Sequence, residues 1–514
     1  MPQTETTYMS EQSSAYLPHM AKGVVINLFG AFIRNGLLFV YTFLLARTLT
    51  AGDLGKYFLL FTIVNVAGSI ATMGMDFGIV RFIALFVGEG SVSLARNVFK
   101  AGVIIGILLS LVFTVVLLFA APLVARILMN DNGEAILGLR IFALSIPFWV
   151  TARLLNSTSQ GLHIMKHRVY SRDVGEQASK LLFSIFAIGL GAGLIGVVWA
   201  NVASVIFAMS MSLWFVILAL PKNTKNEKVV NQASSLFRYS YPLAFSYIIA
   251  TFLSYIDLLM LGHFGNSADV GYYGSALRII GGIQILFLAF STVFMPIISD
   301  LYNKGSMLEL QVLYKTVCRW LFVFTLPFLL ILILFSSSIM KLFGGGFVAA
   351  DSALIILAIG QLIYSSVGTA GLMISMSGHP KIELYNVIFS LMVNFFLCFL
   401  LIPDFGMLGA AVANTSAYVA INLARVIEVW FLLKMHTFEN NYFKPLIAGA
   451  AVTSLILILS HFKSISSGLG FFIAGVIFLM VSYIGIFLVQ GLSGQDLIIL
   501  QHLKNRLNKG EAVS

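Results

Sequence analysis

Charged residues are scarce in this chain. They make up 10% of its 514 residues, whereas 59% are hydrophobic and the mean hydropathy is +0.96. A soluble globular domain carries about 25% charged residues. A chain of this length with so little charge cannot cover a water-soluble surface, so the composition predicts an integral membrane protein.

Cysteine is also nearly absent, and the residues for several kinds of chemistry are missing. Cys318 and Cys398 stand alone, without a neighbour at metal-ligand spacing, so no disulfide framework or zinc site is implied. The eight histidines lie in loops or at helix ends and form no metal or catalytic cluster. No glycine-rich loop followed by Lys-Ser/Thr is present, which argues against an ATP-driven motor. We therefore expect neither a metal nor a cofactor.

Long apolar runs are abundant instead. A membrane-spanning helix needs about 20 mostly apolar residues, and fourteen segments meet this requirement. Their approximate limits are 23–46, 57–80, 101–121, 135–161, 174–190, 195–220, 240–261, 271–298, 320–340, 350–376, 385–402, 406–433, 445–461 and 468–490. The polar N-terminus has no cleavable signal peptide, so the first segment is expected to be a retained helix. The predicted fold is all-α, with about 14 transmembrane helices.

Lysine and arginine are distributed unevenly among the connections. Nineteen of the 31 fall at the termini and in the even-numbered connections, five fall in the odd-numbered connections, and seven lie within spans. The positive-inside rule therefore predicts a multi-pass protein of the cytoplasmic membrane with both termini in the cytoplasm. Membrane topology accounts for the net charge of +10, so no nucleic-acid partner is expected.

One loop sequence occurs twice. LARTLTAGDLGKY begins at Leu45, and LGHFGNSADVGYY begins at Leu261, 216 residues later. The matching pairs are Leu45/Leu261, Asp53/Asp269, Gly55/Gly271 and Tyr57/Tyr273. A second match, Gly196 to Asn201 against Gly409 to Asn414, has an offset of 213. Turn chemistry explains the residue types but not the shared offset, so the chain is predicted to contain two homologous six-helix lobes.

The repeat also predicts how the chain is divided. Six is an even number, so both lobes insert the same way up and are related by an axis along the membrane normal. The expected organisation is a cytoplasmic tail 1–21, an N-lobe 22–220, a linker 221–239, a C-lobe 240–434, two further helices within 435–491 and a cytoplasmic tail 492–514.

Polar residues in the first span form a stripe along one face. An arginine at mid-bilayer costs about 2.5–3.5 kcal/mol on insertion scales and usually faces a protein interior or a water-filled cavity. Arg34 lies near the middle of the span, beside Asn35. Asn27, Arg34 and Tyr41 are seven apart and share one face. We expect all four to line a cavity, with bonding of Arg34 to carbonyls of a broken helix as the alternative.

Two further spans contribute candidate cavity residues. Arg153 and Asn156 lie on a polar face of the fourth span, and Arg278 lies near the start of the eighth. Arg140 lies on another face of the fourth span, where it either lines the cavity or reaches the interface. Arg81 and Lys180 lie near predicted cytoplasmic ends and are interpreted as anchors.

Acidic residues within spans are fewer and are candidates for ion coupling. Asp257, in the seventh span, is the best candidate for a proton or sodium site, with pairing to Arg278 as the alternative. Asp76 is the second candidate, with pairing to Arg81 as its alternative. Arg425 and Glu428 are spaced to pair with each other and are predicted to be a structural ion pair.

Two long stretches resemble a known family. ARTLTAGDLGKYFLLFTIVNVAGSIATMGMDFGIVRFIA is similar to the N-terminal signature of polysaccharide-repeat exporters of the multidrug/oligosaccharidyl-lipid/polysaccharide superfamily. SGHPKIELYNVIFSLMVNFFLCFLLIPDFGMLGAAVANTSAYVA resembles the signature of their second half. The resemblance covers about residues 20 to 490. It implies a two-lobed flippase with a central cavity that moves lipid-linked oligosaccharides by alternating access. Drug exporters of this superfamily hold a cation-coupling acid in the first helix, where this chain has Arg34.

The predicted function is therefore a flippase, not an enzyme. We expect it to move polyprenyl-pyrophosphate-linked oligosaccharide repeat units, such as those of O-antigen, because guanidinium groups suit phosphate. Coupling to a proton or sodium gradient is left open. The expected partners are the bilayer, the lipid-linked glycan and other polysaccharide-assembly proteins, and the chain is expected to be a monomer. The alternatives are a multidrug cation antiporter, a membrane glycosyltransferase or polymerase, and a passive scramblase.

Overall fold

A computed structural model describes residues 3–129, 133–220 and 233–437, with three short stretches at 449–450, 453–454 and 475–484. Side chains are described from Ile26 onward. Most of the predicted linker, most of the last two predicted spans and the whole tail 492–514 lie outside the described residues. Within them, every regular element is a helix.

The helices follow one another with short connections. Their bounds are α1 Gln3–Thr48, α2 Ala51–Thr72, α3 Met75–Gly88, α4 Val92–Met129, α5 Glu134–Ala143, α6 Ser145–Gly161, α7 Met165–Arg168, a π-helix Val169–Glu176, α8 Gln177–Gly189, α9 Gly193–Ala219, α10 Ala233–Phe264, α11 Ser267–Asn303, α12 Met307–Leu334, α13 Ser336–Phe343, a 3₁₀ turn Gly345–Ala350, α14 Asp351–Val367, α15 Ala370–Met376 and α16 Pro380–Leu433. A short apolar helix, α17, follows at Gly475–Ile484.

Ten of the described helical segments are long and apolar enough to cross a membrane, where the sequence predicted fourteen spans. Part of the difference is α16, which contains two predicted spans joined at Gly406. The backbone of Gly406 is not helical (φ 53°, ψ −130°). The chain folds back at this residue, which brings the segments before and after it together. A Cβ on Gly409 would lie 2.5 Å from the carbonyl oxygen of Leu401. The predicted span 174–190 is the shorter α8, and the last two lie mostly outside the described residues.

The repeated loop caps two helices in the same way. Thr50 precedes α2, and its hydroxyl oxygen accepts a hydrogen bond from the backbone N–H of Asp53 at 3.1 Å. Asn266 precedes α11, and its side-chain oxygen accepts from the N–H of Asp269 at 2.9 Å. Each cap satisfies one of the backbone donors that a helix start leaves unpaired. We call the end of the bundle that carries these two loops the Thr50 end, and the opposite end, where α3 meets α4, the Gly90 end.

The two copies of the loop also pack against each other. A Cβ on Gly55 would lie 1.6 Å from the carbonyl oxygen of Ser267, and a Cβ on Gly271 would lie 2.1 Å from that of Ala51. No side chain fits at either position, so both glycines are required by the close approach of α2 and α11. The loop is therefore present twice because its two copies form one contact, which closes the Thr50 end.

Two further contacts at the Thr50 end are related by the same offset. The Nε of Arg47, at the end of α1, donates to the carbonyl of Leu342 in α13 at 2.6 Å. His263 stands 216 residues after Arg47, and its Nδ1 lies 3.0 Å from the carbonyl of Ile127 in α4. A carbonyl oxygen only accepts, so Nδ1 is the donor. Each side chain thus joins one half of the chain to the other.

The Gly90 end is closed on one side by α3 and α10. The helix that begins as α2 is interrupted at Met73 and Gly74, both left-handed (φ 47° and 65°), and continues as α3. A Cβ on Gly74 would lie 2.6 Å from the carbonyl oxygen of Ser240, and one on Gly78 would lie 2.3 Å from the Ser240 hydroxyl. The interruption therefore allows α3 to lie directly against α10.

Candidate functional site

A cavity of about 280 Å³ lies among α1, α2, α5, α6, the π-helix, α8, α9, α10 and α11. Its lining is rich in positive charge, with four cations and one acid. These residues are Arg34, Arg172, Lys180, Arg278 and Glu176. We call this space the basic cavity. Uncharged lining residues include the polar Asn35, Asn65, Gln177 and Asn201 and the aromatic Phe61, Phe142, Trp149 and Tyr255.

Arg34 lines the basic cavity from α1. Its Nη1 lies 3.3 Å from Oδ1 of Asp173, and 27% of the Arg34 side chain is exposed. Asn35 lines the same cavity, but its side-chain nitrogen donates to the carbonyl of Ala31 at 2.7 Å. The partner of Arg34 is thus the carboxylate of Asp173, whereas the alternative raised from the sequence was a set of backbone carbonyls in a broken helix. It leaves much of the guanidinium facing open space.

Positive charge is concentrated on the segment between α6 and α8. Burial is the largest cause that lowers the pKa of Arg168 to about 10, and the neighbouring charge of Arg172 is the second. Arg168 therefore still carries its charge at neutral pH. Arg34 and Arg153 act on Arg168 in the same direction, and Asp173 opposes them. The segment therefore holds two guanidinium groups, Arg168 and Arg172, together with the carboxylates Asp173 and Glu176.

Lys180 is a cavity residue, and its interpretation as an interfacial anchor was wrong. The helical path begins at Met165, so Lys180 is roughly four turns from its start. Only 3% of the residue is exposed. Its Nζ lies over the rings of Tyr41 and Phe61, at 5.6 and 5.5 Å from their centroids, and no salt bridge to it is found among the described residues. Tyr41 itself is buried behind Lys180 and does not line the cavity.

A second cavity, of about 240 Å³, adjoins the first. The two share Phe61, Tyr255 and Arg278 in their walls. The second cavity is lined by α2, α10, α11, α14 and α16. Its polar groups are largely uncharged: Thr62, Ser254, Gln284, Gln361, Asn414 and Tyr418. Asp257 is the one acid in its wall. We call this space the amide cavity.

Arg278 stands at the boundary of the two cavities. Its guanidinium carbon lies 5.9 Å from the ring centroid of Phe58 and 5.5 Å from that of Phe61. No salt bridge holds it in the described part of the chain. The pairing with Asp257 that the sequence left open is not formed, so Arg278 is free to meet a ligand from either side.

Asp257 is buried, with 1% of the residue exposed. Its Oδ2 accepts from the hydroxyl of Tyr273 at 2.6 Å and from the side-chain nitrogen of Asn414 at 2.9 Å. Its Oδ1 accepts from the backbone N–H of Leu258 at 2.9 Å. Helix α10 is thereby tied to α11 and α16 through one carboxylate.

The first half of the chain contains the same arrangement without the acid. Tyr41 donates to the hydroxyl of Tyr57 at 3.1 Å, and Asn201 donates to that hydroxyl at 3.0 Å. These three residues precede Asp257, Tyr273 and Asn414 by 216, 216 and 213 positions. Each half therefore contains a three-helix hydrogen-bond cluster that includes the repeated tyrosine, with Tyr57 as the shared acceptor in the first half and Asp257 in the second. The halves differ at one position, where tyrosine corresponds to aspartate.

Five predicted cavity residues line neither cavity: Asn27, Tyr41, Arg140, Arg153 and Asn156. Arg140 is exposed in α5. Asn156 is buried and accepts a hydrogen bond from the Ser171 hydroxyl at 2.8 Å. Asn27 is partly exposed on α1. A polar face on one helix predicts that its residues avoid lipid. Packing against a neighbouring helix removes a side chain from lipid as well as a cavity does.

Arg153 joins three helices. Its Nε and Nη2 donate to Oδ2 of Asp76 at 2.9 and 2.6 Å, and its Nη1 donates to the hydroxyl of Tyr247 at 2.5 Å. Tyr247 belongs to α10, so the contact links the two halves of the chain. The alternative pairing of Asp76 with Arg81 was wrong, because Arg81 lies over the ring of Tyr239 at 4.3 Å. Asp76 is committed to a salt bridge in this structure.

The predicted ion pair between Arg425 and Glu428 was also wrong. Arg425 forms a salt bridge with Glu383, with Nε 3.1 Å from Oε2. Glu428 instead accepts from the side-chain nitrogen of Asn386 at 2.5 Å. The reason is the reversal of α16 at Gly406, which places the two arms side by side. Each residue then has a partner on the opposite arm.

Comparison with known proteins identifies the family. Residues 20–302 match the family model described as polysaccharide biosynthesis protein, which is more than half of the chain. The chain belongs to the polysaccharide biosynthesis protein family. Residues 242–400 also match the MatE model. The resemblance to the multidrug/oligosaccharidyl-lipid/polysaccharide superfamily is thereby confirmed.

Two curated relatives are similar over nearly their whole length. A probable low-salt glycan biosynthesis flippase, Agl15 of Haloferax volcanii, is 26% identical over 90% of this chain and 91% of its own. An uncharacterised membrane protein of Methanocaldococcus jannaschii is 23% identical over 96% of this chain and 99% of its own. This member of the family is therefore a multi-pass membrane protein.

Two solved structures share the fold. The lipid II flippase MurJ, in an inward closed conformation, matches with a TM-score of 0.71 at 14% identity, over 92% of this chain and all of its own. An inward-facing MATE family multidrug transporter matches with a TM-score of 0.65 at 15% identity, over 80% and 94%. The fold and the relatives are those of transporters and flippases rather than of catalytic enzymes.

Several polar residues of this family member were missed from the sequence. Arg172 and Glu176 lie in the π-helix, which was read as a loop and a helix start. Asp173, the partner of Arg34, was overlooked for the same reason. Gln284 and Gln361 are isolated polar residues in otherwise apolar segments. Their position within a span was the available signal, since buried polar groups need partners.

Proposed function

We propose that this protein is a flippase for polyprenyl-pyrophosphate-linked oligosaccharides and works by alternating access. The observation that carries the proposal is the lining of the basic cavity. Four cations and one acid face a space enclosed by apolar helices, and only Arg34 among these cations is held in a salt bridge within the described chain. Unpaired cations in a membrane are costly unless a cavity and an anion accompany them.

A pyrophosphate is the anion that best fits this lining. Guanidinium groups bind phosphate oxygens through two parallel hydrogen bonds, and an ammonium group adds a point charge. Arg34, Arg172, Lys180 and Arg278 reach the cavity from different helices, so they surround a ligand. Such a site lowers the cost of moving a charged headgroup through hydrocarbon, while the lipid tail remains in the bilayer.

The proposal includes two homologous lobes within about fourteen transmembrane helices. The repeated hydrogen-bond clusters that contain Tyr57 and Tyr273 support this division. The distribution of lysine and arginine supports a cytoplasmic Gly90 end with both termini on the same side, and an outer Thr50 end. Separation of α2 from α11 would then open the cavity outward, and separation of α3 from α10 would open it inward.

A multidrug cation antiporter is the second candidate. It is favoured by the match to the MatE model over residues 242–400 and by the shared fold. A cavity for cationic drugs requires an acidic lining, however, and here the cations outnumber the acids. The lipid-linked glycan is therefore the better-supported substrate.

Neutralising the cavity cations should slow transport of a lipid-linked oligosaccharide in proteoliposomes. Arg34→Gln, Lys180→Met and Arg278→Gln each remove a charge-assisted hydrogen bond, which contributes about 1.5–3 kcal/mol. We expect each rate to fall roughly 10- to 100-fold. The measurement uses a fluorescent lipid-linked oligosaccharide and a membrane-impermeant glycosidase that reports arrival at the far leaflet.

Arg140→Gln is the matched control, because Arg140 is exposed and lines neither cavity. It should transport at the wild-type rate. Wild-type protein that ignores the lipid-linked oligosaccharide but exchanges cationic dyes would overturn the proposal in favour of the antiporter.

We further propose that a proton or sodium ion couples to transport at Asp257. The support is a buried carboxylate at the one position where the two hydrogen-bond clusters differ. Asp257→Asn should abolish the stimulation of transport by an imposed proton or sodium gradient, while exchange without a gradient continues. Equal stimulation of the variant and the wild type by both gradients would place the coupling elsewhere. The comparison is made in the same proteoliposome assay.

A further inference from the structure

The two adjoining cavities differ in chemistry. The basic cavity presents four cations. The amide cavity presents side-chain amides and hydroxyls from α2, α10, α11, α14 and α16, and its charged lining residues are Asp257 and the shared Arg278. Two spaces of similar size, one charged and one polar but largely uncharged, suit two different parts of one ligand.

Gln361 is the residue that points most directly to a ligand. It is 2% exposed and lines the amide cavity from α14. Its Oε1 is buried and has no hydrogen-bond partner within the described chain. A buried amide oxygen without a partner costs about 1–3 kcal/mol, so its place in a cavity wall indicates a donor that arrives with the ligand.

The walls around Gln361 leave room for a polar ring. A Cβ on Gly281, which borders the same cavity, would meet nothing within 4 Å. The ring of Tyr418 is held edge-on to that of Tyr364, with centroids 5.6 Å apart. Tyr255 stands where the two cavities meet. Amides, hydroxyls and aromatic rings together are suited to an uncharged, hydroxyl-rich molecule.

We propose that the amide cavity is the subsite for the sugar attached directly to the pyrophosphate. This inference rests on the proposed function. A sugar hydroxyl or acetamido N–H would donate to Oε1 of Gln361, while the pyrophosphate occupies the basic cavity. Arg278 lies in the wall of both, as expected for the residue beside the bond between the pyrophosphate and the first sugar.

Two other occupants fit the amide cavity less well. A second phosphate would lie beside the Asp257 carboxylate, and like charges at short range repel. A lipid tail would leave the buried Oε1 of Gln361 without a partner. An uncharged polar group satisfies this wall without either cost.

The test compares two probes on the same full-length protein in detergent. Geranylgeranyl pyrophosphate carries the anion alone, and its N-acetylglucosamine ester carries the anion with one sugar. Gln361→Leu should weaken binding of the sugar-bearing probe about tenfold, which is the effect of one buried hydrogen bond. It should leave binding of the sugar-free probe unchanged. Gln284→Leu, which removes a second amide that lines the same cavity, is the second variant and should show the same selectivity.

Gln160→Leu is the matched control, because Gln160 lines neither cavity, and it should bind both probes as the wild type does. Arg34→Gln should weaken both probes equally. Equal losses for both probes in Gln361→Leu and Gln284→Leu, or no loss for either, would overturn the sugar subsite and leave the proposed function standing. Failure of the wild type to bind either probe would overturn both.

Discussion

Gly55→Leu should abolish transport by holding the Thr50 end of the bundle open. A Cβ at Gly55 would lie 1.6 Å from the carbonyl oxygen of Ser267, well inside the contact distance of two heavy atoms. Backbone, not a flexible side chain, blocks the position, so α2 and α11 must separate. A protein that cannot close this end cannot alternate between its two openings. Gly271→Leu, at the equivalent position of the second copy of the loop, should have the same effect, because its Cβ would lie 2.1 Å from the carbonyl oxygen of Ala51.

Labelling of a residue in the cavity wall by a reagent added from the Thr50 end measures this opening directly. A Phe61→Cys reporter, in a background with Cys318 and Cys398 replaced by serine, places a thiol in the wall of both cavities. An impermeant maleimide should label it from the Thr50 side in Gly55→Leu, whereas the parent should be protected.

The matched control for this experiment is Gly52→Leu, three residues earlier on the same helix. A Cβ on Gly52 would meet only the Thr50 hydroxyl, at 3.8 Å, so this variant should transport and remain protected. Normal transport by folded Gly55→Leu would contradict the assignment of this contact as a gate.

Asp76→Ala should be the most destabilising single substitution in the contact between α3, α6 and α10. It would leave the guanidinium of Arg153 buried without its carboxylate, and removing one partner of a buried pair costs about 3–5 kcal/mol. Arg153→Leu should lower the free energy of unfolding to a similar extent, because Asp76 would then be the unpaired group. The measurement is the unfolding free energy of the purified protein in mixed micelles, followed by circular dichroism.

The double variant Asp76→Leu/Arg153→Leu separates the salt bridge from its surroundings. It should lose much less than the sum of the two single losses, because neither charge is left alone. Arg81→Leu is the control, since Arg81 lies over a tyrosine ring, an interaction that contributes about 0.5–1 kcal/mol at exposed sites. Additive losses in the double variant would show that Asp76 and Arg153 do not stabilise each other.

Part of the candidate site was predictable from residue type and position. Arg34, Asn35 and Arg278 were recognised as polar groups within spans, and the structure places all three in cavity walls. Arg153 satisfied the same criterion but is held by Asp76 and Tyr247, which are 77 and 94 residues away in the chain. Insertion cost identifies a residue that avoids lipid. It does not distinguish a cavity from a salt bridge, because both remove the charge from hydrocarbon.

The membrane location, the helical spans and the duplicated loop could be deduced from the amino-acid sequence, since hydropathy and repetition are properties of consecutive residues. The partners of the buried charges depended on the tertiary structure. Arg425 was expected to pair with Glu428, one helical turn away, but the reversal at Gly406 brings Glu383 to it. Lys180 became a cavity residue because α8 packs beside α1 and α9. Such contacts join residues far apart in sequence, so no local pattern records them.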